Sequence, residues 1–164
     1  MDNFHEQLIT TNKIGAYKSF NALMYVFLVL SAISLGSANI VPAIFFIAIT
    51  AGIFFYKGNL FVEFEYDFTN GEIDVDKIIG MKKRTRILTF NVKDIELLAE
   101  ESSTFIKDFT NISLKEINAI PRNIKNRAYL AMITGRGQKI KLRFAPDEEF
   151  LALCYKYNPR SVKK

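Results

Sequence analysis

The chain has 164 residues, one cysteine, one histidine and a formal charge of +5 at pH 7. That length leaves room for about one domain and a small appendage, and 49% hydrophobic with 13% aromatic content excludes a disordered chain. A single Cys and a single His exclude a disulfide framework and a His/Cys metal cage, so the expectation is a protein that is not an enzyme and carries no cofactor.

Mean hydropathy is only +0.09, yet Ser19 to Tyr56, 38 residues between Lys18 and Lys57, contain no Asp, Glu, Lys, Arg or His. As one helix this run would be ~57 Å long against roughly 30 Å of bilayer hydrocarbon. Gly36-Ser37-Ala38-Asn39 near its midpoint is a turn signal, and Pro42 suits the first turn of a new helix. Two transmembrane spans are therefore predicted, Asn21 to Leu35 and Ile40 to Tyr56, within a hairpin of residues 19–57 that follows a cytosolic N-terminal segment, 1–18. A buried soluble hairpin would need a polar face that this run lacks. A cleaved signal peptide would need a basic leader, which Asp2 and Glu6 spoil.

Lys13 and Lys18 precede the hairpin and Lys57 follows it, while the intervening turn has no Lys or Arg. The positive-inside rule then puts both termini in the cytoplasm of a cell bounded by this inner or plasma membrane. Lys18 and Lys57 are the topology anchors, and Tyr17 and Tyr56 supply interfacial rings with Phe20, Phe54 and Phe55. Small residues at Ala32-x-x-x-Gly36 and Ala48-x-x-x-Gly52 permit close helix approach. These steps are expected to pack within the hairpin, with a second copy of the chain as the alternative.

From Leu60 the period changes from helical to two. Leu60, Val62, Phe64, Tyr66 and Phe68 alternate with Phe61, Glu63, Glu65 and Asp67, Thr69-Asn70-Gly71 signals a hairpin, and Ile73, Val75 and Ile79 lie on the returning strand. Further strands are predicted at Arg84 to Asn91, Ile95 to Ala99, Leu114 to Ile120, Arg127 to Thr134 and Gln138 to Phe144, with Gly135-Arg136-Gly137 turning the last pair. Pro146 and the acids Asp147, Glu148 and Glu149 open a helix that Asn158-Pro159 ends, its apolar stripe being Phe150, Leu153, Cys154 and Tyr157. Seven strands, four and then three across a long linker, with one closing helix, describe a pleckstrin-homology-like barrel over residues 58–164.

Four stretches carry a resemblance as well: the start Met1-Asp2-Asn3-Phe4, Val62 to Arg84 (VEFEYDFTNGEIDVDKIIGMKKR), Ala131 to Gly135 (AMITG) and Leu142 to Arg160 (LRFAPDEEFLALCYKYNPR). Over nearly its whole length the chain resembles a family of small bacterial two-pass membrane proteins whose cytosolic part is a pleckstrin-like domain of unknown function. The resemblance implies the same architecture and location, and it brings no functional residues.

The search for chemistry is mostly negative. His5 has no Ser or Asp partner that the sequence assigns, Gly135-x-Gly137 lacks the third glycine and the helix of a dinucleotide loop, and Tyr66 and Phe68 stand where a calcium loop needs oxygen ligands. Two charge features remain. Glu63, Glu65, Asp67, Glu72, Asp74 and Asp76 should share the outward face of the first hairpin, six carboxylates read as a solvated face balanced by neighbouring cations rather than as an ion site. Lys82, Lys83, Arg84 and Arg86 form the turn into the third strand. The first strand leads away from the hairpin and the second returns, so this turn is expected at the membrane surface, worth roughly 4 kcal/mol on anionic headgroups before screening. Residues from Leu60 onward carry 19 basic and 15 acidic side chains without a basic stripe interleaved with aromatics, which argues against nucleic acid.

The expected function is a membrane-anchored binding or scaffolding module whose cytosolic domain lies on the inner leaflet and engages a protein partner or a second copy. Glu100 to Asn126, with Phe105, Ile106, Phe109 and Ile112, is the candidate partner surface, with ordinary packing over the open end of the barrel as its other reading. The alternative is an accessory subunit of a membrane transporter or assembly complex, although neither span holds an ionisable residue of its own.

Overall fold

The computed structural model describes residues 3–11, 14–57, 61–80, 82–107, 114–121, 127–135 and 138–163. The chain divides into a helical unit, Thr11–Val62 with Ile79–Lys83, and a β unit, Met1–Thr10 with Glu63–Ile78 and Arg84–Lys164.

In the helical unit the uncharged run forms α1 (Ile14–Gly36) and α2 (Ile40–Lys57), about 34 and 27 Å long at 1.5 Å per residue. Both are long and apolar enough to cross a membrane. The first helix starts seven residues before the predicted Asn21, because Tyr17 and Lys18 extend it without breaking its backbone ladder. The turn falls where Gly36 to Asn39 placed it. Ala38 takes a left-handed φ of 58°, and the Asn39 and Ser37 N–H groups donate to the Ser34 and Ile33 carbonyls at 2.9 and 3.0 Å. Pro42 sits in the first turn of α2, where a backbone N–H has no partner within the helix.

The seam between the helices runs through Met24, Phe27 and Ser31 on α1 and Ala43 and Phe46 on α2. Met24, Ser31 and Ala43 are buried, and the Phe27 and Phe46 rings stack with centroids 6.0 Å apart. The expected small-residue seam is corrected here. Ala32 and Ala48 are exposed, and a Cβ on Gly36 or Gly52 would meet nothing within 4 Å. Stacked Phe rings, with Ser31 against Ala43 on the turn side and Met24 by Lys57 at the other end, make the contact.

Among the described residues the β unit holds eight strands instead of the predicted seven: β1 (Phe4–Ile9), β2 (Val62–Thr69), β3 (Glu72–Ile79), β4 (Lys83–Asn91), β5 (Ile95–Glu100), β6 (Lys115–Asn118), β7 (Tyr129–Gly135) and β8 (Gln138–Phe144). They form two four-stranded sheets, ordered β1-β2-β3-β4 and β5-β7-β8-β6. The additional strand lies within the expected N-terminal segment, 1–18, which therefore does not stand apart from the β unit. β1 pairs antiparallel with β2 from Phe4 opposite Thr69 to Ile9 opposite Phe64. The predicted weak strand Leu114 to Ile120 is realised as β6, and it runs parallel to β8.

The two sheets do not close into a barrel. A cleft of about 950 Å³, floored by Ile87, Leu88, Phe90, Ile133 and Ile140, separates β4 from the β7–β8 hairpin. Arg136 and Gly137 of the predicted turn lie outside the described residues. After β5 comes one helical turn, α3 (Thr104–Lys107). Its Ile106 is buried against Leu97, Ala99, Leu130 and Met132, so this part of the proposed partner surface is core packing. Phe105 stays exposed, and Phe109 and Ile112 lie outside the described residues.

The closing helix, α4 (Glu148–Tyr157), begins two residues after Pro146. Asp147 is its N-cap and accepts the Phe150 N–H at 2.8 Å. Phe150 is fully buried and meets Tyr66, Phe68 and Phe144 edge to face at 5.8–6.2 Å. At the centre of this cluster the Tyr66 hydroxyl donates to the Ala119 carbonyl at 2.7 Å and accepts the Ala145 N–H at 3.2 Å. Burial pushes the Tyr66 phenol well above its ordinary pKa. Beyond α4, Val162 bridges Leu98 on the free side of β5, fastened by Leu98 N–H to Ser161 C=O and Lys163 N–H to Leu98 C=O, both at 2.8 Å.

Tyr66→Phe should cost about 1–3 kcal/mol, since it leaves a buried carbonyl and a buried N–H without their shared partner; a denaturant melt of the full chain in micelles measures it. Gly71→Ala should cost a similar ~1–3 kcal/mol, because Gly71 has a φ of 94° and its Cβ would lie 2.7 Å from a Tyr157 ring carbon. Gly71→Asn tolerates the φ but not the ring, so it should recover little of that loss in the same melt.

Candidate functional site

The β3–β4 turn carries the basic residues, and the helical unit fixes where it sits. Ile79 to Lys83 belong to that unit. The Gly80 N–H donates to the Phe61 carbonyl at 2.9 Å, and the Phe61 ring, 1% exposed, meets Tyr17 of α1 at a centroid distance of 5.5 Å. Gly80 adopts a left-handed φ of 62° to make this bend. The turn is thus held at the Lys18 end of α1. Lys57 marks the same end from α2: its ammonium donates to Asn21 Oδ1 at 2.7 Å and lies 5.3 Å from the Phe54 ring centre. Tyr56 pairs with Phe20 at 5.6 Å, and Tyr56, Phe54 and Phe55 are exposed. Lys18 is exposed as well.

The four cations divide into two pairs. Lys82 and Lys83 are exposed, and neither has an acidic partner among the described residues. Arg84 and Arg86 are instead occupied by the acidic face of the sheet. Arg84 pairs with Glu65 and approaches Asp76 at 3.9 Å. Arg86 reaches Asp74 at 2.9 Å and Asp76 at 3.0 Å, and the hydrogen bond it donates to Asp76 raises its pKa further.

That acidic face departs from the solvated surface expected of six carboxylates. Glu63, Glu65 and Asp76 are 8, 3 and 2% exposed, so β2 is buried on both sides. Thr10 donates its hydroxyl to Glu63 at 2.8 Å, and Thr89 donates to Asp74 at 2.5 Å. Glu72 alone of the six is fully exposed. Glu6 of β1 joins the face opposite Asp67. Carboxylate oxygens of Glu6, Glu65 and Asp67 all lie within 4.8 Å of one another. Burial, a hydrogen bond with Glu6 and the nearby Asp67 push Glu65 up to about 7 against the opposing pull of Arg84. Burial and the charge of Glu6 also raise Asp67, whose Oδ1 is buried without a hydrogen-bond partner. This spacing resembles that of cation ligands, but the guanidinium of Arg84 already supplies the positive charge at Glu65.

Phe61, Gly80, Glu6 and Thr10 are the contributors that sequence reasoning missed. Glu6 and Thr10 were hidden because β1 itself was unseen. Gly80, which follows the apolar pair Ile78-Ile79 shortly before the basic residues, was the available signal for a bend.

Cys154 is buried and its thiol is pushed up to about 12 by that burial. His5 faces Asp147 at 2.9 Å and Glu149 at 3.6 Å at the start of α4, which ties β1 to the helix.

No curated protein and no solved structure matches the chain. A family described as "Bacterial PH-like domain (DUF6106)" matches residues 1–164. Two apolar helices joined to two sheets and a closing helix accord with that description, and the chain belongs to this bacterial PH-like domain family.

Proposed function

We propose that this protein is a membrane-anchored binding module whose helical hairpin spans the inner membrane with both termini in the cytoplasm, and whose Lys82–Lys83 turn rests on anionic headgroups. The observation that carries this reading is the bond from Gly80 to Phe61 and the Phe61–Tyr17 ring pair. Together they keep two exposed lysines at the end of α1 where Lys18 supplies the positive-inside charge. Tyr17, Phe20, Phe54 and Tyr56 at that end are the residue types that favour the headgroup level.

Charge bookkeeping lowers the expected lipid attraction. Arg84 and Arg86 are neutralised by Glu65, Asp74 and Asp76, so two cations rather than four act on the leaflet. At about 1 kcal/mol each near an anionic surface, that is roughly 2 kcal/mol before screening. An attraction of this size orients a tethered domain without holding it there alone. The hairpin provides the attachment and the turn provides the orientation. The sheets and α4 then present a binding surface to a cytosolic partner.

In nanodiscs containing phosphatidylglycerol, amides of residues 82–86 in the full chain should exchange about tenfold or more slowly than in phosphatidylcholine discs at low salt, the ratio corresponding to ~1.4 kcal/mol or more. The difference should vanish in Lys82→Ser/Lys83→Ser and in high salt. Equal exchange in the two lipids removes the headgroup contact. Digestion of the β unit by protease added outside sealed cells reverses the orientation.

A further inference from the structure

We infer that Glu6, Glu65 and Asp67 form a proton-dependent latch that fastens β1 onto β2 when the cluster holds a proton and loosens β1 when all three are ionised. The register sets Glu6 opposite Asp67 and Leu8 opposite Glu65, so the only acidic side chain described on β1 points into two acids of its neighbour. Their oxygens converge within 4.8 Å. Two carboxylates cannot hydrogen-bond to each other, whereas a proton on one turns an oxygen into a donor. Asp67 Oδ1, buried and unpartnered, is an acceptor that such a proton can satisfy.

The surrounding charges leave the cluster short of cations. From β2 come Glu65, Asp67 and Glu63, the last held by Thr10. From β3 come Asp74 and Asp76, and from β4 come Arg84 and Arg86. Arg86 is engaged by Asp74 and Asp76, which leaves Arg84 as the one guanidinium at Glu65 among the described residues. On the other face of β1, His5 and Gln7 bond to Asp147 and the Ala145 carbonyl, contacts that do not involve the cluster. The latch is independent of any bilayer contact.

The direction of the effect follows from the raised carboxyl. Glu65 is pushed from 4.5 up to about 7, so between these values the folded strand binds more protons than the released one. Attachment of β1 is strongest at the acidic end of that window and weakens as pH rises through about 7. Release would turn β2 into an edge strand with unpaired N–H and C=O groups.

Amide exchange of the full chain in phosphatidylcholine nanodiscs, corrected for intrinsic chemical rates, tests this at pH 5.5 and 8.5. Protection of residues 4–9 relative to residues 73–78 should fall roughly tenfold or more at the higher pH. The fall should disappear in Glu65→Gln, whose amide donates to Glu6 at every pH, and persist in His5→Asn. A pH-independent ratio in the unaltered protein overturns the latch, as does a fall that survives in Glu65→Gln or vanishes in His5→Asn.

Discussion

Strand β2 must satisfy two opposite environments at once, and the β unit is organised around that demand. One face gives Phe64, Tyr66 and Phe68 to the aromatic centre beneath α4, where Phe150 fits among them. The other face carries Glu63, Glu65 and Asp67, which are covered rather than hydrated. Burying carboxylates is tolerated only with partners: Thr10, just after β1, donates to Glu63, and Arg84 reaches Glu65 from β4, two strands away in the sheet. Arg84 and Arg86 of β4 are therefore committed to the sheet. What remains for an external surface is the pair of lysines in the preceding turn.

Much of this architecture was legible because its signals were periodic. The uncharged run from Ser19 to Tyr56 announced two helices, and Gly36 to Asn39 announced their turn. Alternation along Val62 to Ile79 marked a β-hairpin, and Asp147 to Glu149 marked the start of the closing helix. β1 was illegible for a specific reason. Two of its three inward positions are His5 and Gln7, which bond to Asp147 and Ala145 at the approach to α4, while Phe4 and Leu8 face outward and only Ile9 is apolar and buried. A strand whose polar residues point inward reads as a loop under any hydrophobic pattern.

The same limit applies to the site. Four cations within five residues were visible in the sequence, but their division was not, because Arg84 and Arg86 are claimed by acids 8 to 19 residues away in the chain. Small-xxx-small spacing in both helices suggested a close seam, yet Phe27 and Phe46 set the contact and turned Gly36 and Gly52 outward. Spacing alone does not say which stripe of an all-apolar helix faces its neighbour. Ring shape and the Asn21–Lys57 bond decide it.

The insertion of the hairpin between two neighbouring strands also bears on the order of assembly. β1 leaves the ribosome before either helix, and its partner β2 emerges only after both. Joining them directly would mean closing a loop of residues 10–61, whose entropic cost grows with the logarithm of its length. Pairing of α1 with α2 within that stretch shortens the span left to close, which lowers the entropic cost of bringing β1 onto β2.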